Sequence, residues 1–322
     1  MLKTRTLLLA ALIGLNAAEA SAQEFPSRFI TIVSPFQAGG PSDTVARLIA
    51  GPMSKMLGQQ VVVENTTGAG GTIGSARVAK AAPDGYTLGI SGSGTHAAVE
   101  QLYANPPYKA LDFESVGLIN TTPVILVGKK SLPANTLQEF IAYLRANEKT
   151  VTEGDAGVGS VSHLGCSVFK SLINVKPTVA SYRGTPQVTQ DVIAGTVDYV
   201  CNQIVNVVGH VQNGALKAYA VTSEKRSPVL PNVPTSAEAG LPDFKIMVWY
   251  GLSAPKGMPA PIIAKLNQAL SVAMDDPMVV KRFADLGYDV VPPAQRSPAF
   301  FDDWIRKEVA LWSKVLPKPV AN

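Results

Sequence analysis

The sequence predicts an α/β protein built as two hinged lobes, and three observations carry that reading. Short β-rich runs alternate with helical segments along most of the chain, the pattern of a mostly parallel sheet covered on both faces. About 300 residues follow an N-terminal leader, more than one hydrophobic core usually serves. Two apolar crossings, residues 116–119 and 248–253, enclose a block with its own alternation of strands and helices. The expected lobes are residues 23–123 plus 248–322, a discontinuous first lobe, and residues 124–247, an inserted second lobe, with the crossings as a two-strand hinge and a cleft between them.

Residues 1–22 read as a secretory signal peptide, with Lys3 and Arg5 ahead of an uncharged stretch at 6–15. Ala20-Ser21-Ala22 offers a cleavage site that leaves Gln23 first, and Ala18-Glu19-Ala20 competes with it. The stretch is shorter than the roughly 20 residues that span a bilayer. In the first lobe, strands at 29–33, 60–64 and 86–90 alternate with helices at 44–57, ended by Gly58, and at 73–80. A further helix is expected from Thr95.

The second lobe begins with the β-branched run at 124–127. Helix 137–146, strand 151–154, helix 164–172, strand 175–181, helix 186–194 and strands 197–201 and 218–222 follow. A Pro-rich stretch, 227–242, crosses back. The C-terminal part is helical over 261–274, over 277–286 after the cap candidate Asp276, and over 298–315 after Ser297. In the last helix Phe301, Trp304, Ile305, Trp312 and Val315 form an apolar stripe expected to pack on the first lobe.

Five junctions carry loops of Gly with Ser or Thr: residues 35–43, 68–72, 91–96, 157–163 and 182–186. Each aims backbone N–H groups and the positive end of a helix dipole beyond the strand ends, where α/β sheets bind ligands. A small anion is the implied ligand. Candidate contacts are Gln37, Ala38, Gly39, Gly40, Gly70, Gly71, Ser93, Thr95, His96, Gly159, Ser160, Ser162, His163, Gly184 and Thr185. Phe36, Tyr182, Trp249 and Tyr250 are expected to line the cleft with aromatic surface. Asp43 is read as a cap for its own helix.

Composition excludes several classes. The leader holds Lys3, Arg5 and Glu19, so the mature chain keeps 26 of 28 basic and 23 of 24 acidic residues, scattered singly. That balance argues against a nucleic-acid partner. Cys166 and Cys201 are the only cysteines, and export leaves two readings, a disulfide or two buried thiols. There is no G-x-S-x-G elbow, and the S-x-x-K match at Ser167 and Lys170 falls inside an expected helix. His96, His163 and His210 lack zinc spacing, so neither a metal nor a catalytic residue is assigned. Gly68-Ala69-Gly70-Gly71 follows a strand, but its glycine spacing misses the dinucleotide pattern, and no cofactor is expected.

Ordered motifs point to a family. They include Pro35-Phe36 with Gly39-Gly40 and Asp43, Val62-Val63-Glu64-Asn65 running into Gly68-Ala69-Gly70-Gly71, and Ala82-Pro83-Asp84-Gly85-Tyr86-Thr87-Leu88. Ser162-His163-Leu164, Tyr182-Arg183-Gly184, Gly195-Thr196-Val197-Asp198 and Val233-Pro234-Thr235 follow. Over residues 25–314 the chain resembles the extracytoplasmic solute receptors of tripartite tricarboxylate transporters, the Bug family. The resemblance implies a periplasmic binding protein type II fold and a periplasmic monomer. Such a receptor closes over a small carboxylate and delivers it to a membrane permease. The loops at 36–43 and 68–71 would hold one carboxylate through backbone N–H groups and ordered water.

Two departures bear on the ligand. Arg183 stands where the family usually has Lys, and Asn202 stands near a common acidic position. Arg offers a bidentate carboxylate contact that Lys does not, and a neutral residue at 202 removes a repulsion. The expected ligand is a dicarboxylate, with aromatic acids such as terephthalate or phthalate among the candidates. Two alternatives stand beside the receptor: a secreted hydrolase or lyase with His163 or His96 as base, and a ligand-sensing subunit for a membrane histidine kinase.

Overall fold

The computed structural model describes residues 24–316, so the leader expected at 1–22 lies outside the described residues. β1 (Ile30–Ser34) pairs in parallel with β2 (Val61–Asn65) and β3 (Thr87–Gly92). Ile30, Ile32 and Val33 are all buried, as in a strand covered on both faces. The helix Pro41–Leu57 follows β1 and ends on the left-handed Gly58, and the helix Thr72–Ala79 follows β2.

β4 (Phe113–Lys129) then runs through both lobes. The two apolar runs at 116–119 and 124–127 are therefore one strand, and the physical reason lies at Pro123. From Phe113 to Pro123 the strand pairs antiparallel with β9 (Met247–Pro255), and from Val124 to Gly128 it pairs with β7 (Tyr199–Gln203). Proline has no N–H for a ladder, and it sits where the strand changes partners.

β5 (Thr152–Asp155) pairs in parallel with β6 (Thr178–Ser181) and β7, while β8 (Leu216–Val221) and β10 (Asp289–Val290) flank β4. The strand order is β2-β1-β3-β9-β4-β7-β5-β6. The result is two α/β lobes bridged by β4 and β9.

The helices Leu137–Ala146, Val161–Ile173 and Thr185–Ala194 lie near the expected positions. The helix Ile204–Gln212 was not expected, because Ile204, Val205, Val207 and Val208 give it a strand-like composition. The expected helix from Thr95 is a π-helical turn, Ser93–Ala97, followed by the short helix Val99–Leu102.

Packed aromatics fill the second lobe, with Phe140 stacked on Tyr219 at 4.3 Å and edge-on to Tyr199 at 5.3 Å, ring centre to ring centre. Among them Glu153 accepts from Lys170 Nζ at 2.8 Å and Tyr199 Oη at 2.7 Å. Cys166 and Cys201 form a disulfide that ties the helix Val161–Ile173 to β7, with Cα atoms 5.3 Å apart. In the helix Pro298–Val315, Phe301, Ile305 and Trp312 are buried, and Phe301 lies edge-on to Trp249 at 5.4 Å. Val315 of the expected stripe is exposed instead, one turn past the last buried position.

Candidate functional site

Four helices begin at one small cavity between the lobes. Pro41 and Ser42 open the helix Pro41–Leu57, and Ser160, Val161 and Ser162 cap and open Val161–Ile173. Thr185 opens Thr185–Ala194, and Gln203 caps Ile204–Gln212. Phe36, Ala156, Asn202 and Tyr250 complete the lining. First-turn amides have no carbonyl partner within their own helix, and each helix start carries partial positive charge.

No ionised side chain lines this cavity, so the helix ends supply its electrostatics. It encloses about 20 Å³, little more than the 10–15 Å³ that one water requires. The lobes are shut on each other.

Internal bonds fix the polar walls. Ser42 Oγ lies 3.0 Å from Ser34 Oγ. Ser160 Oγ accepts from the His163 amide at 3.1 Å, and Ser162 Oγ accepts from the Ala156 amide at 2.9 Å. Asn202 is buried; its Nδ2 donates to Thr189 Oγ1 at 3.0 Å, and its Oδ1 accepts from Gln203 N and Asn206 Nδ2, both at 2.8 Å. Gln203 Nε2 lies 2.8 Å from Tyr250 Oη, joining the end of β7 to β9. Burial pushes the Tyr250 phenol up, so the cavity walls stay neutral near pH 7.

Of the sequence candidates, Phe36, Ser160, Ser162, Thr185, Asn202 and Tyr250 meet at this cavity. Several others are placed elsewhere. The Gly39 amide donates to Asp43 Oδ2 at 2.9 Å, Gly40 N to Gln37 O at 3.1 Å and Gly71 N to Gly68 O at 3.0 Å, so these loop amides are already engaged. Gln37, Ala38 and Gly39 are exposed. Ser93 Oγ accepts from the Trp249 amide, and Thr95 lies beneath Gly71.

Asp43 also accepts from Arg47 Nε at 2.9 Å and from Asn65 Nδ2 at 3.0 Å. Burial opposes its ionisation, but those bonds outweigh it and hold the carboxyl below its ordinary value. Its role is to staple the loop that presents Phe36, whose carbonyl accepts from the same Asn65 amide at 3.0 Å.

The two histidines also lie away from the cavity. His96 is buried against Phe113, 4.3 Å between ring centres, and burial pushes its imidazole down to about 3. His163 faces a separate open groove of about 1110 Å³ with Val168, Trp304 and Trp312. Trp249 is buried in the first-lobe core, and its Nε1 donates to Glu308 at 3.0 Å. Tyr182 Oη donates to Asp191 Oδ2 at 2.5 Å, which raises the phenol to about 12.

Arg183 is exposed and forms no ion pair among the described residues. Gly184 abuts Gln37, and Gly70 and Gly159 lie at the lobe interface. Among the described residues, no cluster of His, Cys, Asp or Glu could hold a metal. No described helix is long and apolar enough to cross a membrane. Sequence reasoning missed Pro41, Ser42, Ala156, Val161 and Gln203. The first four lie in or beside the loops already singled out, and Gln203 could be found only with the helix it caps.

Two α/β lobes shut over a cavity built from helix starts define the class of solute-binding proteins. The chain belongs to the tripartite tricarboxylate transporter family receptors, whose model matches residues 45–316. The UPF0065 protein of the TAR-I ttuE-ttuC' intergenic region of Agrobacterium vitis is 46% identical over 299 residues, covering 92% of this chain and 86% of that one. Among solved structures, MatC from Rhodopseudomonas palustris with bound malate is 44% identical with a TM-score of 0.88, covering 90% of this chain and 99% of that one. A second R. palustris protein, with adipate, is 32% identical with a TM-score of 0.85, covering 91% and 97%.

Proposed function

We propose that the chain is an exported, monomeric receptor that closes over a short aliphatic dicarboxylate and delivers it to the membrane subunits of a tripartite tricarboxylate transporter. The carrying observation is the convergence of four helix starts on one interlobe cavity with no charged wall. Each start favours a nearby carboxylate by roughly 0.3–1 kcal/mol, and up to about 2 when partly buried. We place the first lobe at residues 23–123 plus 248–322 and the second at 124–247, so that a ligand bridges one helix of the first lobe and three of the second.

Ring placement favours an aliphatic acid such as malate over an aromatic diacid. The gap is nearly closed, and of the four expected aromatics only Phe36 and Tyr250 line it. Neither His96 nor His163 lines the cavity, which supports binding without turnover.

Calorimetric titration of the mature protein with malate, succinate, adipate, phthalate and citrate tests the reading. Malate or succinate should bind most tightly and be recovered unchanged, and a ligand at 100 times its Kd should add about 2.7 kcal/mol of stability. A silent panel removes the carboxylate reading, and preferred binding of phthalate removes the aliphatic one. Loss of uptake of the bound acid in a deletion strain tests delivery.

A further inference from the structure

We propose that the bare Cα of Gly94 is the seat on which the second lobe lands, making Gly94 a determinant of ligand affinity that does not itself line the ligand cavity. Gly94 lies in the turn Ser93–Ala97 of the first lobe, and its φ is outside the left-handed region, so its own backbone accepts alanine. A Cβ built there would lie 1.6 Å from Gly159 O, 2.7 Å from Gly159 C and 3.4 Å from Gly159 Cα. All three nearest atoms belong to the other lobe. Within its own lobe the position has room for a methyl group.

The turn that carries the opposing carbonyl is braced. Its turn is held by Ser160 N donating to Gly157 O at 2.9 Å and by Gly157 N donating to Asp155 Oδ1 at 2.8 Å. Moving Gly159 O from 1.6 Å to 3.0 Å, the closest approach that real Cβ atoms make, means a retreat of 1.4 Å. The same turn makes a second landing beside the first. Val158 O lies 2.9 Å from Tyr103 Oη, whose single proton it shares with Ala69 O at 3.0 Å, and it would lie 1.5 Å from a Cβ at Gly70. Gly70 has φ 61°, so alanine there is strained whether the lobes are open or shut, whereas Gly94 isolates closure.

Alanine at 94 therefore leaves the separated lobes intact and denies them their final approach. The cavity, nearly shut here, would stay open to water, and ligand contacts made only on closure would lengthen.

Hydrogen–deuterium exchange reads closure without any ligand. Gly94→Ala should speed exchange of the amides of residues 91–97 and 157–163, the two segments that meet at the landing, at least tenfold, and leave β1 and β5 behind them protected. Gly51→Ala, with no atom within 4 Å of the added methyl, should leave that exchange unchanged. Tyr103→Phe adds no atom and removes a hydroxyl shared by Val158 O and Ala69 O; it should speed exchange over 157–163 two- to fivefold, and it tests the landing independently of how Gly94→Ala folds.

With malate as probe, Gly94→Ala should raise Kd at least tenfold. Wild-type exchange over both segments in both variants overturns the inference. The ligand arm rests on the receptor reading. If the wild type ignores malate while Gly94→Ala still speeds that exchange, that reading fails and this inference stands.

Discussion

Asn202→Asp places one negative charge in a cavity whose walls are otherwise neutral. The new side chain has the same shape, and two donors already point at the retained oxygen position, Gln203 N and Asn206 Nδ2, each at 2.8 Å. Only the bond from Nδ2 to Thr189 Oγ1 is lost. Its loss should cost about 1 kcal/mol of stability. Binding is another matter. A ligand carboxylate about 5 Å away, at an effective dielectric constant of about 20, is repelled by roughly 3 kcal/mol. At about 1.4 kcal/mol per decade this is a loss of roughly 200-fold in affinity. Titration calorimetry with malate at pH 7.5 should show that loss, and repeating it near pH 5 should recover part of it, because the introduced carboxyl is pushed up by its burial and by the anion. An affinity within threefold of wild type at pH 7.5 would refute the placement of the anion beside residue 202.

Burial pushes the Glu153 carboxyl up against the opposing pull of Lys170 and Tyr199. The folded state therefore holds that proton more tightly than the unfolded chain does, and stability from this group falls as pH rises from the ordinary glutamate value through the folded one. Glu153→Gln should flatten that part of the stability curve in urea melts run between pH 4 and 8; an unchanged slope excludes Glu153 as its source. The Cys166–Cys201 bridge spans 35 residues, so the double alanine variant should lose about 3–4 kcal/mol on the loop-entropy model, measured by denaturant unfolding. Arg183 is exposed and outside the cavity lining, so Arg183→Ala should slow malate association at low salt and leave dissociation nearly unchanged in stopped-flow traces. A large increase in the dissociation rate would return Arg183 to the ligand.

The alternation of strands and helices was legible because apolar spacing and caps agree locally. Asp276 and Ser297 cap the helices whose starts they mark, and Gly58 ends the one before it. The bridge strand β4 was legible only in halves, since Pro123 reads locally as a break and becomes tolerable when the strand changes partners there. The helix Ile204–Gln212 was hidden by β-branched residues, of which only Ile204 and Val207 are buried; packing overrides propensity there. Missing it hid Gln203 and one of the four helix starts. In the loops the residue types pointed to the right place and the wrong atoms. A glycine-rich turn exposes amides in sequence, but Asp43, Gln37 and Gly68 sit close enough to claim those of Gly39, Gly40 and Gly71 first.

That reassignment changes what kind of anion site this is. Amides in a flexible turn must be ordered when the ligand arrives, whereas first-turn amides are ordered by the helix behind them and cost nothing further to align. The Asp43, Asn65 and Arg47 network serves the same end, since it spends charge on rigidity beneath the cavity and keeps that charge out of the lining. A wall of lysine or arginine would bind a dicarboxylate even with the lobes apart. Helix ends split between two lobes surround the ligand only when both halves meet, so affinity becomes tied to closure. Closure in turn rests on the contact of Gly159 with Gly94 and of Val158 with Gly70.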